Sequence, residues 1–396
     1  MKKRIVFLLL PLLLLLGACS DSASSGNGTG SGRKYDGKVV NLGYSGPLSG
    51  PAALYGENTL NGLSMAVEEI NENGGFVVNG EKHYLNLVTL DDKYLPNEAG
   101  ANAKRLVQEY KTPIVYVPHS GGIFAAQVFN MQSKFIIAAY SSEPDVTKQG
   151  NELTLRIPPK YEIYLRPYSE YVMKRFGKKI ALLPASTQYG KDWAKKLEPV
   201  WKELGGEVVY KGSIDFNKDT DFFTIVTNAL KKNPDVLFIG GPSEPTALVA
   251  KQARELGFKG GFLVMDQAKL DEMAAVLGSW DMLEGAVGVL PLPYSRNKGN
   301  EQFIDDYKKK YGKNPPSEAG YHYYSVYLFV EAMKAAGTVD DPEAIMKHIQ
   351  EGIDRVPADK RIYDITKVDE EGGLVTPFRM GVVEKGKIVN KSDEYQ

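Results

Sequence analysis

The chain has 396 residues, more than one compact core usually holds, so two domains are expected. Lys plus Arg number 48 against 49 Asp plus Glu; the net charge of −1 gives no support to nucleic-acid binding. Hydrophobic residues at 43% and charged residues at 24% exclude bulk disorder, and a single cysteine excludes an intramolecular disulfide or a thiolate metal cluster.

Lys2, Lys3 and Arg4 precede an apolar run from Ile5 to Leu16, shorter than the ~20 residues that span a bilayer. This is a signal-peptide pattern over residues 1–18. The run ends in Leu16-Gly17-Ala18-Cys19, which resembles the bacterial lipobox, whose cysteine is lipidated and becomes the mature N-terminus. An ordinary secretory signal with a chance cysteine is the competing reading. From Ser20 to Lys34 the chain is mostly Ser and Gly, a flexible tether, so residues 19–36 are expected to hold the folded part near a membrane.

Short β-rich runs then alternate with longer amphipathic ones. Val39–Gly43 reads as a strand and Asn58–Asn73 as a helix stopped by Gly74-Gly75. Tyr84–Leu90, Pro113–Val117 and Phe135–Ala139 read as strands, with helices over Asn97–Tyr110 and Gly122–Met131. A second series opens near Pro158-Pro159. It has helices at Tyr161–Phe176, Trp193–Leu204, Phe222–Lys231 and Pro245–Leu256, and strands at Lys179–Leu183, Glu207–Ser213, Val236–Ile239 and Gly261–Val264. Helices at Glu301–Tyr311, Glu318–Ala336 and Pro342–Glu351 follow, then β-like Phe378–Val383 and Lys387–Val389. The expected fold is α/β, with two doubly wound parallel-sheet lobes, an interlobe cleft at the strands' carboxyl ends, and three hinge crossings. Lobe 1 is expected over 37–157 plus 291–358, and lobe 2 over 158–290 plus 359–396. Pro-rich, extended segments place the crossings near Arg156-Ile157-Pro158, near Leu290-Pro291-Leu292-Pro293 and within Arg355–Tyr363.

The segment Val39-Val40-Asn41-Leu42-Gly43-Tyr44-Ser45-Gly46-Pro47-Leu48-Ser49-Gly50, followed by Tyr55-Gly56 and Asn61-Gly62, resembles the opening of branched-chain amino acid binding proteins. Asp91-Asp92, Gln188-Tyr189-Gly190 and Gln252-Ala253-Arg254-Glu255-Leu256-Gly257 fit the same family in order and spacing, from about Val39 to Ile388. The resemblance implies the type I periplasmic-binding fold and an extracytoplasmic, lipid-anchored substrate-binding protein of an ABC importer. Its partners would be a membrane permease and a small ligand, and the protein would be a monomer.

An α-amino acid needs hydroxyl and N–H donors for its carboxylate, an acid for its ammonium and apolar cover for its side chain. His119-Ser120-Gly121-Gly122 and Tyr140-Ser141-Ser142-Glu143-Pro144 are loops after strands, and the second matches the family's carboxylate-binding loop. By that match Ser141 and Ser142 grip the carboxylate and Ser120 adds a donor. Helix capping uses the same residue types. Asp266, after Gly261–Met265, stands where amino-acid receptors of the family place the ammonium acceptor; a solvated loop aspartate is the alternative. Tyr55 and Tyr189 match aromatic positions lining the cleft from opposite lobes, although most of the 23 tyrosines serve ordinary packing. Three departures alter the pocket: Pro242-Ser243 after Gly240-Gly241, bulky Tyr140, and Gly121-Gly122 in place of a hydroxyl-rich run. An amide, a urea-like compound or an aromatic carboxylate, or a sensory rather than transport role, therefore stays open.

No enzyme is expected. His119 and Ser120 are adjacent, but sequence neighbours rarely reach nucleophile–base geometry, and neither a G-x-S-x-G elbow nor a phosphate-binding G-x-x-x-x-G-K-[ST] loop occurs. The histidines His83, His119, His322 and His348 lack metal-ligand spacing, so neither metal nor cofactor is expected.

Overall fold

The computed structural model describes residues 35–395. Cys19, the signal segment and the tether to Lys34 lie outside the described residues. Among the described residues no helix is long and apolar enough to cross a membrane.

Two sheets carry the fold. The first contains β1 (Lys38–Gly46), β2 (Phe76–Val78), β3 (Glu81–Asp91), β4 (Ile114–Val117), β5 (Ile136–Ala139) and β6 (Thr154–Arg156), in spatial order β2-β3-β1-β4-β5-β6. All neighbours are parallel except the β2–β3 hairpin. The second contains β7 (Lys179–Pro184), β8 (Glu207–Lys211), β9 (Val236–Gly240), β10 (Gly261–Val264) and β11 (Ala286–Gly288). A two-stranded ribbon, β12 (Lys367–Val368) with β13 (Leu374–Val375), stands apart, while β14 (Gly381–Glu384) and β15 (Lys387–Asn390) close the second sheet antiparallel. Its order is β15-β14-β11-β10-β9-β7-β8.

Both sheets are buried on both faces, as parallel sheets joined by helical crossovers must be. Successive residues of one strand therefore enter different cores. Ile114 and Tyr116 pack with Leu63, Phe329 and Met333 from the helices Ala53–Glu72 and Ser317–Ala336. Val115 and Val117 pack on the other face with Ala103, Leu106 and Ile123. In the second sheet Ala181 and Leu183 face one core while Ile180 and Leu182 face the other. The runs are apolar without alternation for this reason.

The chain passes between the two sets of cores three times: after β6 near Ile157, between Leu290 and Leu292, and between Leu374 and Met380. The third passage corrects the expected boundary at residue 359. Ile362, Tyr363, Ile365 and Leu374 are buried with the first sheet's helices, because the β12–β13 ribbon folds back along that lobe before the chain leaves it. Arg156, 1% exposed, ties the first passage to the turn of the β12–β13 ribbon that precedes the third. Its N–H donates to Gly372 O at 3.0 Å and its guanidinium to Asp369 at 3.1 Å and Pro158 O at 2.5 Å.

Candidate functional site

Every residue singled out for ligand contact sits just past the carboxyl end of a parallel strand. Tyr55 follows β1 in the first turn of the helix Ala53–Glu72, and Ser120 follows β4 at the start of the helix Ser120–Gln127. Ser141 and Ser142 follow β5, Tyr189 follows β7 in the helix Gln188–Glu203, and Asp266 follows β10. Strand ends of both sheets face one cleft, where such folds place ligands. The structure brings all six together around a single cavity of about 30 Å³.

The loops are shaped locally. His119, not a serine, caps the helix Ser120–Gln127: its Nδ1 accepts from Gly122 N at 3.0 Å. The proton therefore sits on Nε2, which donates to Asp92 at 3.0 Å. Both ring nitrogens are engaged away from Ser120, so His119 cannot act as its base, and the Ser120 hydroxyl is not committed to capping. Gly122 N and Ile123 N are both taken by His119, which leaves the N–H groups of Ser120 and Gly121 at the helix start. Ser141 Oγ accepts from Glu143 N at 3.3 Å and holds the turn of the second loop. On the opposite side Thr187 caps the helix of Tyr189 through Gly190 N at 3.2 Å.

Across the cleft the polar groups form one chain. Burial and the neighbouring Asp266 push the Tyr189 hydroxyl far above the usual phenol range, so it stays protonated and donates to Asp266 Oδ1. Its oxygen lies 2.6 Å from Ser142 Oγ; with the tyrosine proton on the carboxylate, Ser142 is the donor there. Trp193 Nε1 donates to the same Asp266 Oδ1 at 3.1 Å, leaving Oδ2 without either bond. Tyr55 donates to Pro118 O at 2.8 Å, which fixes its ring as a wall of the first lobe.

Lys269, Gln267 and Tyr94 line the cavity without having carried a sequence signal, beside Tyr140, which had one. Lys269 is 3% exposed, and its ammonium donates to the carbonyls of Asp266 at 2.6 Å and Gln267 at 2.9 Å. It also lies 3.6 Å from Glu318 of the first lobe. Lys269 thus holds the loop that carries Asp266 and neutralises a buried carboxylate. Gln267 donates to Tyr94 across the cleft at 2.7 Å. Tyr140 packs at 4.7 Å from His322, which burial keeps neutral with a pKa of about 4, and at 5.8 Å from Tyr321. Buried lysine and an interlobe tyrosine–glutamine bond arise only from the tertiary arrangement. No local pattern encodes them.

Two facing α/β lobes with polar groups converging on the cleft from both sides define a ligand-binding receptor of the type I periplasmic-binding fold. Residues 39–387 match the model of the periplasmic binding protein family, and the chain belongs to that family. Among its relatives is a Leu/Ile/Val-binding protein of Citrobacter freundii, 27% identical over 79% of this chain and 83% of the relative. The leucine-, isoleucine-, valine-, threonine- and alanine-binding protein of Pseudomonas aeruginosa is 25% identical over 82% of this chain and 86% of its own length. The crystal structure of the leucine-binding protein LivK of Thermotoga maritima superposes with a TM-score of 0.76 at 24% identity, covering 89% of this chain and 98% of LivK. LivJ of Streptococcus pneumoniae, solved in complex with isoleucine, gives 0.74 at 22% identity over 89% of this chain and 100% of its own. The family implies an extracytoplasmic location.

Proposed function

We propose that this protein is the substrate-binding lipoprotein of an ABC importer and that it takes an α-amino acid between its lobes by hinged closure. The observation that carries this reading is the pairing of opposite chemistry across one cleft. Hydroxyls of Ser120, Ser141 and Ser142, with the helix start beside them, belong to the first lobe and suit a carboxylate. Asp266 belongs to the second and suits an ammonium. The names of the relatives point to an aliphatic amino acid, while Tyr140 lines this cavity and Pro242 the space beside it, two positions where the family resemblance leads one to expect other residues. Ligand first meets the serines in the open state; contacts with Asp266 and Tyr189 follow on closure and draw the equilibrium toward the closed form. The closed form is what the permease would engage, by a monomeric receptor held outside the cytoplasm through lipidated Cys19.

Calorimetric titration with amino acids tests the ligand. Asp266→Ala should weaken binding at least tenfold, about 1.4 kcal/mol. Unchanged affinity for the identified ligand would refute the ammonium assignment and leave an amide, a urea-like compound or an aromatic acid in its place. Cys19→Ser should release soluble protein from the membrane fraction with unchanged ligand affinity, and retention of the variant in that fraction would overturn the anchor.

A further inference from the structure

A second cavity of about 250 Å³ adjoins the first, and Tyr94, His119, Ser120, Tyr189 and Gln267 line both. It lies between the lobes. Pro51, Leu95 and Pro96 wall it from the first lobe, and Ile214, Phe216 and Pro242 from the second. The first cavity is small: at roughly 10–15 Å³ per water-sized centre it has room for only a few heavy atoms, enough for contacts to a head group. An apolar cavity of about 150 Å³ already accepts a benzene ring, so the second is large enough for an aryl-sized group.

The lining also fixes the charge of what enters. Asp215 is the one acidic or basic side chain there, apart from the neutral imidazole of His119. Its carboxylate is already engaged by Lys218 at 3.2 Å and by Asn217 N at 3.2 Å. A charged side chain would find only this one carboxylate, already paired, while Ser186, Gln188 and Asn217 can meet a hydroxyl.

We propose that the ligand's side chain leaves the head-group cavity between Tyr94 and Tyr189 and fills this second chamber, which makes the preferred ligand an amino acid with a neutral, aryl-sized side chain. This rests on the amino-acid reading above and sharpens it. Proline and aromatic walls on both lobes would clasp a ring from two faces, so the chamber would add affinity only when the lobes close.

Ser186 is partly buried at the chamber wall, lines the second cavity but not the first, and bears no side-chain hydrogen bond among the described residues. Ser186→Leu therefore narrows the chamber without touching the head-group contacts. Titrations of wild type and Ser186→Leu with L-alanine, L-valine, L-leucine, L-phenylalanine and L-tyrosine, with melting curves to verify folding, test the inference. Wild type should bind phenylalanine or tyrosine at least tenfold tighter than valine or leucine. The variant should lose at least tenfold for the aromatic pair and less than twofold for alanine. Equal or tighter binding of valine or leucine by wild type, or a variant that weakens all ligands alike or none, overturns the chamber while leaving the amino-acid reading intact. Failure of every amino acid to bind overturns that reading and the chamber with it.

Discussion

Gly190 places the cleft's central hydroxyl by lacking a side chain. A Cβ there would come within 2.2 Å of the Ala185 carbonyl, so only glycine lets the first turn of the helix Gln188–Glu203 press against the loop after β7. Tyr189 rides on that turn. Gly56 does the same beside Tyr55, where a Cβ would meet Pro47 O at 1.6 Å. The Tyr-Gly pairs visible in the sequence thus have a physical content: the glycine seats the helix and the tyrosine uses the seat. Gly190→Ala should push the turn outward, separate the Tyr189 hydroxyl from Asp266 and Ser142, and weaken ligand binding about tenfold or more. Titration of the variant checks this, and a wild-type affinity would show that the seat does not set the site. Asp266 and the serines could be named as candidates because the family resemblance points to loops that follow strands at these positions. Lys269 could not, since a lysine is ordinarily exposed, and only the nearby Glu318 and two carbonyls make its burial tolerable.

At the scale of elements, strands were legible where apolar runs are long, and Gly261–Val264 coincides with β10 residue for residue. Short strands such as β2, β6 and β11 escaped, each of three residues, because pairing with a neighbour rather than composition makes them strands. The helix Ala53–Glu72 begins before its sequence signal at Asn58, since Ala52 at its N-cap offers no side-chain cap to mark the start. The third crossing was misplaced for a similar reason. No proline cluster announces it, and its position depends on Arg156 gripping the β12–β13 ribbon from far away in sequence. Burial of that guanidinium lowers its pKa, while Asp369 opposes the shift. Asp369 also accepts from Gly373 N at 2.7 Å, so it holds the ribbon's turn as well. Breaking a buried pair can cost about 3–5 kcal/mol; with Asp369 27% exposed, Asp369→Ala should destabilise the protein by roughly 2–3 kcal/mol. Denaturant unfolding checks it, and a loss under about 0.5 kcal/mol, the usual range of a surface substitution, would mean that the clamp contributes little.

For the whole molecule, the lobes meet through a second polar contact beyond the ligand cleft, and its chemistry gives closure a pH dependence. Glu272, on the helix Leu270–Leu277 of the second lobe, accepts from Asn58 of the first at 2.6 Å and from Ser243 at 2.6 Å. Asn58 also reaches Glu318 at 3.2 Å and is itself braced by Lys313 at 3.0 Å. The acids Asp271, Glu272 and Glu318 therefore crowd one interface with Lys269 as the cation among them. Burial first, then the Glu318 and Asp271 charges, hold the Glu272 carboxyl well above the usual carboxylate range. Asp271 is pushed up to about 6, again mainly by burial. A raised carboxyl binds its proton more tightly in the folded, closed protein than in the unfolded chain. Stability therefore falls as pH rises from the ordinary carboxylate pKa through the raised one, and recovers on acidification across the same window. Glu143, raised to about 7 by burial, acts in the same sense, so the difference between wild type and a variant isolates Glu272. Glu272→Gln keeps an acceptor for Asn58 and removes the titration. Its melting temperature should decline less than that of wild type between pH 7 and 9, above the range in which Asp271 loses its proton. Small-angle scattering should show the wild type opening over that interval more than the variant does. Parallel melting curves for the two proteins across that interval would place the Glu272 proton elsewhere and leave closure governed by the ligand cleft alone.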